Sequence, residues 1–359
     1  MFTRRRFLVT LGALGVSKVF AATYPFPLGV ASGYPSPDGM VLWTRLASLA
    51  SPLAARVRWE IAADDAMKSV ISSGETTAEP AWGHSVHVEV KGLDPDRWYW
   101  YRFMALGAES PVGRTRTAPA PGAQPGRLRF AFASCQQYEH GYYNAHRHIA
   151  ADAPDLVAFL GDYIYESSWG KNHVRSHGSA EPVTLEDYRA RHALYRGDPD
   201  LQAAHAACPW VLTWDDHEVD NDYADDRPED GMARGEFLMR RAAAYRAYYE
   251  HMPLPQRMRP EGPDMRLHTR LGWGRLARVY LLDTRQYKSW PACPRPQRRG
   301  GSNTVDSVKC ARLDSPGRSM LGRAQERWLE RGLAASRGRW NVLAQATRMA
   351  QFDQKPGPG

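Results

Sequence analysis

Apolar and polar positions alternate with a period of two between residues 24 and 118, and the rhythm changes after that. Val41-Leu42-Trp43-Thr44-Arg45, Val57-Arg58-Trp59-Glu60-Ile61 and Val86-His87-Val88-Glu89-Val90 each follow it, as half-buried strands do. Gly92-Leu93-Asp94-Pro95 predicts a turn into Trp98-Tyr99-Trp100-Tyr101-Arg102-Phe103. Short strands separated by turn signals predict a β-sandwich of immunoglobulin or fibronectin type over 24–118. Its alternating aromatics are read as sheet packing, not as a ligand platform. Residues 117–126, Thr-Ala-Pro-Ala-Pro-Gly-Ala-Gln-Pro-Gly, lack core formers and predict a linker.

From 127 to 359 continuous apolar runs alternate with helical patterns. Leu128–Ala133 predicts a strand, and Leu156–Leu160, Val211–Trp214 and Leu276–Leu282 predict strands buried on both faces. His146–Ala153, Glu236–Tyr249 and Ser319–Ser336 predict helices. The expectation is a layered α/β core with functional residues at the C-terminal ends of its strands. No internal repeat is present.

Three polar clusters follow three of these strands directly. They are Ser134-Cys135-Gln136-Gln137, then Gly161-Asp162-Tyr163-Ile164-Tyr165-Glu166, then Asp215-Asp216-His217-Glu218-Val219-Asp220-Asn221. Strand ends of a parallel sheet lie side by side, so these segments are expected to meet in one crevice. A thiol, carboxylates, a phenol and an imidazole would then converge. That donor set suits a trivalent metal beside an oxygen-loving divalent one, although Cys, Tyr and Asp together also suit zinc. Each cluster alone reads as a turn or a packed side chain. Three at successive strand ends read as a site.

A length of 359 residues suits two domains, and 43% hydrophobic with 24% charged residues is ordinary for globular chains. The net charge of +8 comes mostly from Arg. Such a charge attracts anionic substrates, but a general Arg bias in composition is the favoured reading. No Lys/Arg-dense run with interleaved aromatics occurs beyond the N-terminus, so no nucleic-acid partner is indicated. Residues 1–22 read as an export signal: Thr3-Arg4-Arg5-Arg6-Phe7-Leu8, an apolar stretch to Gly15, then a small-residue exit at Val19-Phe20-Ala21. Paired arginines before Phe7-Leu8 point to the twin-arginine translocation machinery, hence to a periplasmic or secreted protein. The apolar stretch is shorter than the ~20 residues of a membrane span. Export permits disulfides, and spacing favours Cys293 with Cys310 among the four cysteines.

The chain resembles the PhoD-type alkaline phosphatases, a metallophosphatase family. FPLGVASGYPSPDGMVLWTRL at 26–46, FASCQ at 132–136, GDYIYE at 161–166, DYRARHALYR at 187–196, WDDHEVDND at 214–222 and LDTRQY at 282–287 carry the resemblance. It implies a β-sandwich followed by a metallophosphatase core, with Fe3+ and one or two Ca2+ ions. By position, Cys135 and Tyr165 would bind iron and Asp162 would bridge iron and calcium. Asp216 would bind calcium, with Asn221 as the alternative, and His217 would be the catalytic imidazole. Asp215 and Glu218 would orient these groups; Arg189, Arg191 or Arg196 offers a bidentate phosphate clamp, with surface salt bridging as the expected role of any single one. The implied activity is hydrolysis of phosphomonoesters, and of some diesters, by a metal-bound hydroxide. The protein is expected to act as a monomer on a phosphate-ester substrate. A phosphodiesterase or phospholipase D with the same metals, and a non-catalytic envelope protein, are the alternatives.

One departure stands out. The family carries a late Gly-Asp-Val-His-Ser-like segment, whereas here no histidine follows His268 and the sequence stops soon after NVLAQATRMAQFD at 341–353. The expectation is a C-terminally incomplete core, weak metal binding and low activity.

Overall fold

The computed structural model describes residues 24–46, 53–294, 305–306 and 308–350. The expected export signal at 1–22 and the tail at 354–359 lie outside them. Five strands open the chain: β1 (Val30–Ser36), β2 (Gly39–Arg45), β3 (Ala55–Ala62), β4 (Val70–Ala78) and β5 (Ser85–Val90). β6 (Trp98–Ala105), β7 (Ala108–Glu109) and β8 (Gly113–Arg116) complete the first region. The second begins with β9 (Phe130–Ala133), α1 (Asn144–Asp152) and β10 (Leu156–Leu160). α2 (Leu185–Arg196), α3 (Pro199–Ala207), β11 (Trp210–Thr213) and α4 (Arg234–His251) follow. β12 (Thr269–Trp273), β13 (Ala277–Leu281), α5 (Gly322–Ala334) and β14 (Trp340–Ala344) come last.

Two sheets face each other in the first region. β4-β3-β6-β7, with β8 on β6, forms one. β5-β2-β1 belongs to the other. Val57, Ile61, Tyr101 and Phe103 from the first sheet meet Val30, Leu42, Val86 and Val88 from the second in a single buried cluster. The period-two residues of β3, β5 and β6 therefore point inward as the alternation placed them, whereas β2 is buried on both faces, with Val41 and Trp43 packing away from Leu42. β4 escaped that reading because all its residues but Ala78 stay exposed or half-buried. Its ladder to β3 holds it, not burial of its own side chains.

The expected break between sandwich and core does not interrupt the sheet. β1 pairs in parallel with β11, so one six-stranded sheet runs β5-β2-β1-β11-β10-β9 across both regions. Gly33 makes the junction: a Cβ there would lie 2.6 Å from the Pro253 carbonyl oxygen and 2.8 Å from that of Trp210. A sequence-local pattern cannot reveal a pairing between residues so far apart. Residues 117–126, expected as a free linker, also pack down, with Arg275 N donating to Ala123 O at 2.8 Å.

β10 and β11 are parallel and central, flanked by β9 and β1. Their apolar residues join Tyr163, Tyr188, Tyr245, Tyr248 and Leu281 in the main core. A second sheet, β12-β13-β14, is tied in where Thr213 Oγ1 donates to Leu282 O at 2.8 Å. α2 starts at a capping box between Thr184 and Asp187, worth about 1 kcal/mol. The predicted strands and helices of the core are present, with ends shifted by one to three residues. Cys293 and Cys310 form a disulfide, as their spacing favoured, and Cys135 and Cys208 are free. Among the described residues no helix is long and apolar enough to cross a membrane.

Candidate metal centre

The strand-end residues turn sharply because their backbone does. Cys135 (φ 58°) and Asp162 (φ 56°) both occupy the left-handed region, at about 1–2 kcal/mol each for a residue with a Cβ. Two bonds in the same direction hold the two tips together: Cys135 N donates to Gly161 O at 3.1 Å, and Gln136 N to Asp162 O at 3.2 Å. Gly161 must be glycine, since its φ is +97° and a Cβ would lie 2.5 Å from Asp215 N. At the third tip, Val219 N and Asp220 N both donate to Asp216 O. The fully buried Glu218 side chain braces two tips at once. Its Oε1 accepts from Tyr163 N at 2.7 Å and its Oε2 from Asp215 N at 2.9 Å.

These turns bring all five expected site residues into one place. Asp162, Asp216 and His217 each present a ligand atom within 4.8 Å of the others. On the other side of Asp162, the Tyr165 hydroxyl donates to Oδ2 at 3.0 Å. The Cys135 thiol stands near enough to Asp162 and Tyr165 for their charges to act on one another. Asp162 is thus shared by two donor groups, Cys135 with Tyr165 and Asp216 with His217. The Tyr165 and His217 rings stack, centroids 4.1 Å apart.

The electrostatics of the cluster are those of anions crowded together. Burial and then the Asp216 charge raise the Asp162 pKa. Burial, followed by the Asp162 charge, pushes the Cys135 thiol up to about 11 and Tyr165 far above its usual range. Asp215 is pushed up to about 7 by burial, against the pull of Arg285. Asp162 Oδ1 is buried with no hydrogen-bond partner, a costly condition for a carboxylate. An orphaned carboxylate oxygen amid a thiol, a phenol and a second carboxylate is what a cation would relieve. The donor set fits a metal.

Two residues to which the sequence assigned no role complete the geometry. Glu166 Oε2 sits 2.7 Å from His217 Nδ1, which leaves Nε2 for the cluster. Burial alone would lower the His217 pKa, but the Glu166 bond and the charges of Glu166, Asp216 and Asp162 push it up to about 10. Arg285, held in the turn where Asp283 Oδ1 accepts from Arg285 N and Gln286 N, binds Asp215 through Nε and lies 3.1 Å from Asp216 Oδ1. It holds Asp216 low against the effect of burial. Both residues stand in strand-end motifs, GDYIYE and LDTRQY. The available signal was the fourth strand tip, after β13.

The proposed phosphate clamps go elsewhere. Arg189 is paired bidentately with Glu250 at 2.6 Å per bond. Arg191 is buried against the carbonyls of Tyr165 and Glu166, and Arg196 lies over the Trp43 ring at 4.4 Å. A helix facing the core recruits its arginines as structural donors, which spacing on α2 does not reveal. Asn221, the alternative to Asp216, directs its amide nitrogen to Glu229 and Asp222.

The sequence profile of the PhoD-like phosphatase family matches residues 130–359, and that of its N-terminal domain matches 15–119. Alkaline phosphatase D of Bacillus subtilis (strain 168) is 47% identical over 384 aligned positions, covering 98% of this chain. The chain spans 64% of that relative's length. A solved structure of PhoD superposes with a TM-score of 0.83 at 48% identity, covering 90% of this chain and 62% of the other. With both regions matched and the strand-end cluster assembled, the chain belongs to the PhoD-like phosphatase family.

Proposed function

We propose that this protein is an exported, metal-dependent alkaline phosphatase acting on phosphomonoesters, with diesters as a second substrate class. The observation that carries the reading is the sharing of Asp162 between Cys135–Tyr165 on one side and Asp216–His217 on the other. Cys135, Tyr165 and Asp162 would hold Fe3+, and Asp162 with Asp216 would hold Ca2+. Such ions polarise phosphoryl oxygens and generate a nucleophile from water near neutral pH. His217, its Nδ1 fixed by Glu166, directs Nε2 to donate to a phosphoryl or leaving-group oxygen. Arg285 keeps Asp216 ionised and in place. Export by the twin-arginine machinery, and action as a monomer outside the cytoplasm, are part of the proposal too.

The test combines elemental analysis of the purified protein with hydrolysis of 4-nitrophenyl phosphate and of its bis ester. Bound iron and calcium, a visible charge-transfer band bleached by Tyr165→Phe, and loss of metal and turnover in Asp162→Asn are the expected results. Turnover that survives Asp162→Asn would sink the proposal.

A further inference from the structure

A second concavity lies away from the strand tips and shares no residue with the cluster there. It occupies about 380 Å³ where the β1–β2 hairpin, the end of β5, residues 119–121 and β12 meet. That volume falls within the range of small-molecule pockets, which favour such junctions between regions. Its walls are largely apolar, with Met40, Val41, Leu271 and several prolines. Its charge is not balanced: Lys91, Arg257, Arg270 and Arg278 line it against the single carboxylate of Glu89. Glu89 is already engaged, accepting from Gln256 N at 2.7 Å.

The arginines have no carboxylate to satisfy them. Arg257 reaches only Thr269 Oγ1 at 3.3 Å, and Arg278 bonds the carbonyls of Gly274 and Ala277. Among the described residues neither these two nor Arg270 forms an ion pair. Some arginines elsewhere are matched by acids, as Arg189 is by Glu250 and Arg285 by Asp215 and Asp216. Cations left unmatched on the wall of an apolar concavity suit a ligand with an apolar body and an anionic group. Attraction is also stronger beside a low-dielectric wall than on an open surface.

We propose that this cleft binds an organic anion, an oxyanion group gripped by Arg257 and Arg270 with its apolar body against the prolines and Leu271. Recognition by guanidinium forks requires no metal and is independent of the chemistry at the strand tips.

Naphthalene-2-sulfonate is the probe, because a phosphoric ester hydrolase has no bond in it to cleave. Titration calorimetry on the purified chain should give saturable binding of one equivalent. The Arg257→Ala/Arg270→Ala double variant should weaken binding at least about tenfold, with an unchanged thermal midpoint because both side chains are exposed. Neutral 2-naphthalenemethanol should bind at least about tenfold more weakly than the sulfonate. Asp162→Asn should leave sulfonate binding unaltered. Absence of saturable binding, equal affinity in the double variant, or loss of binding in Asp162→Asn would each overturn the assignment, the last by placing the probe at the strand tips.

Discussion

β9 and β11 contribute to the same sheet and the same cluster, yet they sit in opposite environments. All four residues of β11 are buried, and the tip after it carries Asp216 and His217, braced by Glu218 and Arg285. β9 is an edge strand whose Phe130 and Phe132 are 42% and 70% exposed. The tip after it carries Cys135, held by its backbone bond to Gly161. The centre is therefore half rigid and half lightly supported. Position in the sheet, not residue type, sets which ligands are preorganised.

The largest expected effect concerns protons on the buried side. His146 stacks on Phe159 and Trp210, and His205 stacks on Trp210 at 3.7 Å. Burial lowers the pKa of His146 to about 4 and that of His192 to about 3, and lowers His205 well below its usual value. A depressed folded pKa means that the neutral ring is favoured in the fold. Stability is then complete above pH 6.5 and is lost as pH falls toward 4 and below. His146 alone accounts for about 3 kcal/mol. Equilibrium unfolding followed from pH 7.5 to 4 should show this loss, and hydrogen exchange should report β10 and β11 opening with it. Flat stability across that window would break the contrast.

Next in size is Arg285→Met, which strips the buried Asp215 and Asp216 of their counter-charge. A loss of about 3–5 kcal/mol is expected in the metal-free protein, measured by urea denaturation. The smallest effect on stability is assigned to Cys135→Ser on the edge, within about 0.5 kcal/mol, while the same variant loses bound iron. A large destabilisation by Cys135→Ser would show that the edge tip supports the fold after all.

Much of the site was legible in the sequence. Asp162, Tyr165, Asp216 and His217 follow apolar runs too continuous for a surface strand, Cys135 follows the edge strand β9, and parallel neighbours bring these ends together. Glu218 was legible as a support, though not the two amides it would bind. Arg285 and Glu166 were visible only as members of motifs, because an ion pair across 70 residues leaves no local period. The arginines of α2 show the same limit: one that clamps phosphate and one that binds Glu250, as Arg189 does, have the same spacing along a helix.

Local pattern by itself determined the period-two strands, the buried parallel pair, the main helices, the disulfide and which polar side chains stand at the strand ends. Those properties depend on neighbours in the chain, on burial, and on turns such as Gly161 that no other residue permits. Tertiary structure alone decided that β1 joins β11 into one sheet, that Glu250 takes Arg189, and that Arg285 enters the centre while Arg257 and Arg270 are left without acids. Which charge finds which partner depends on distance in space, and an alternating or helical pattern carries no record of it.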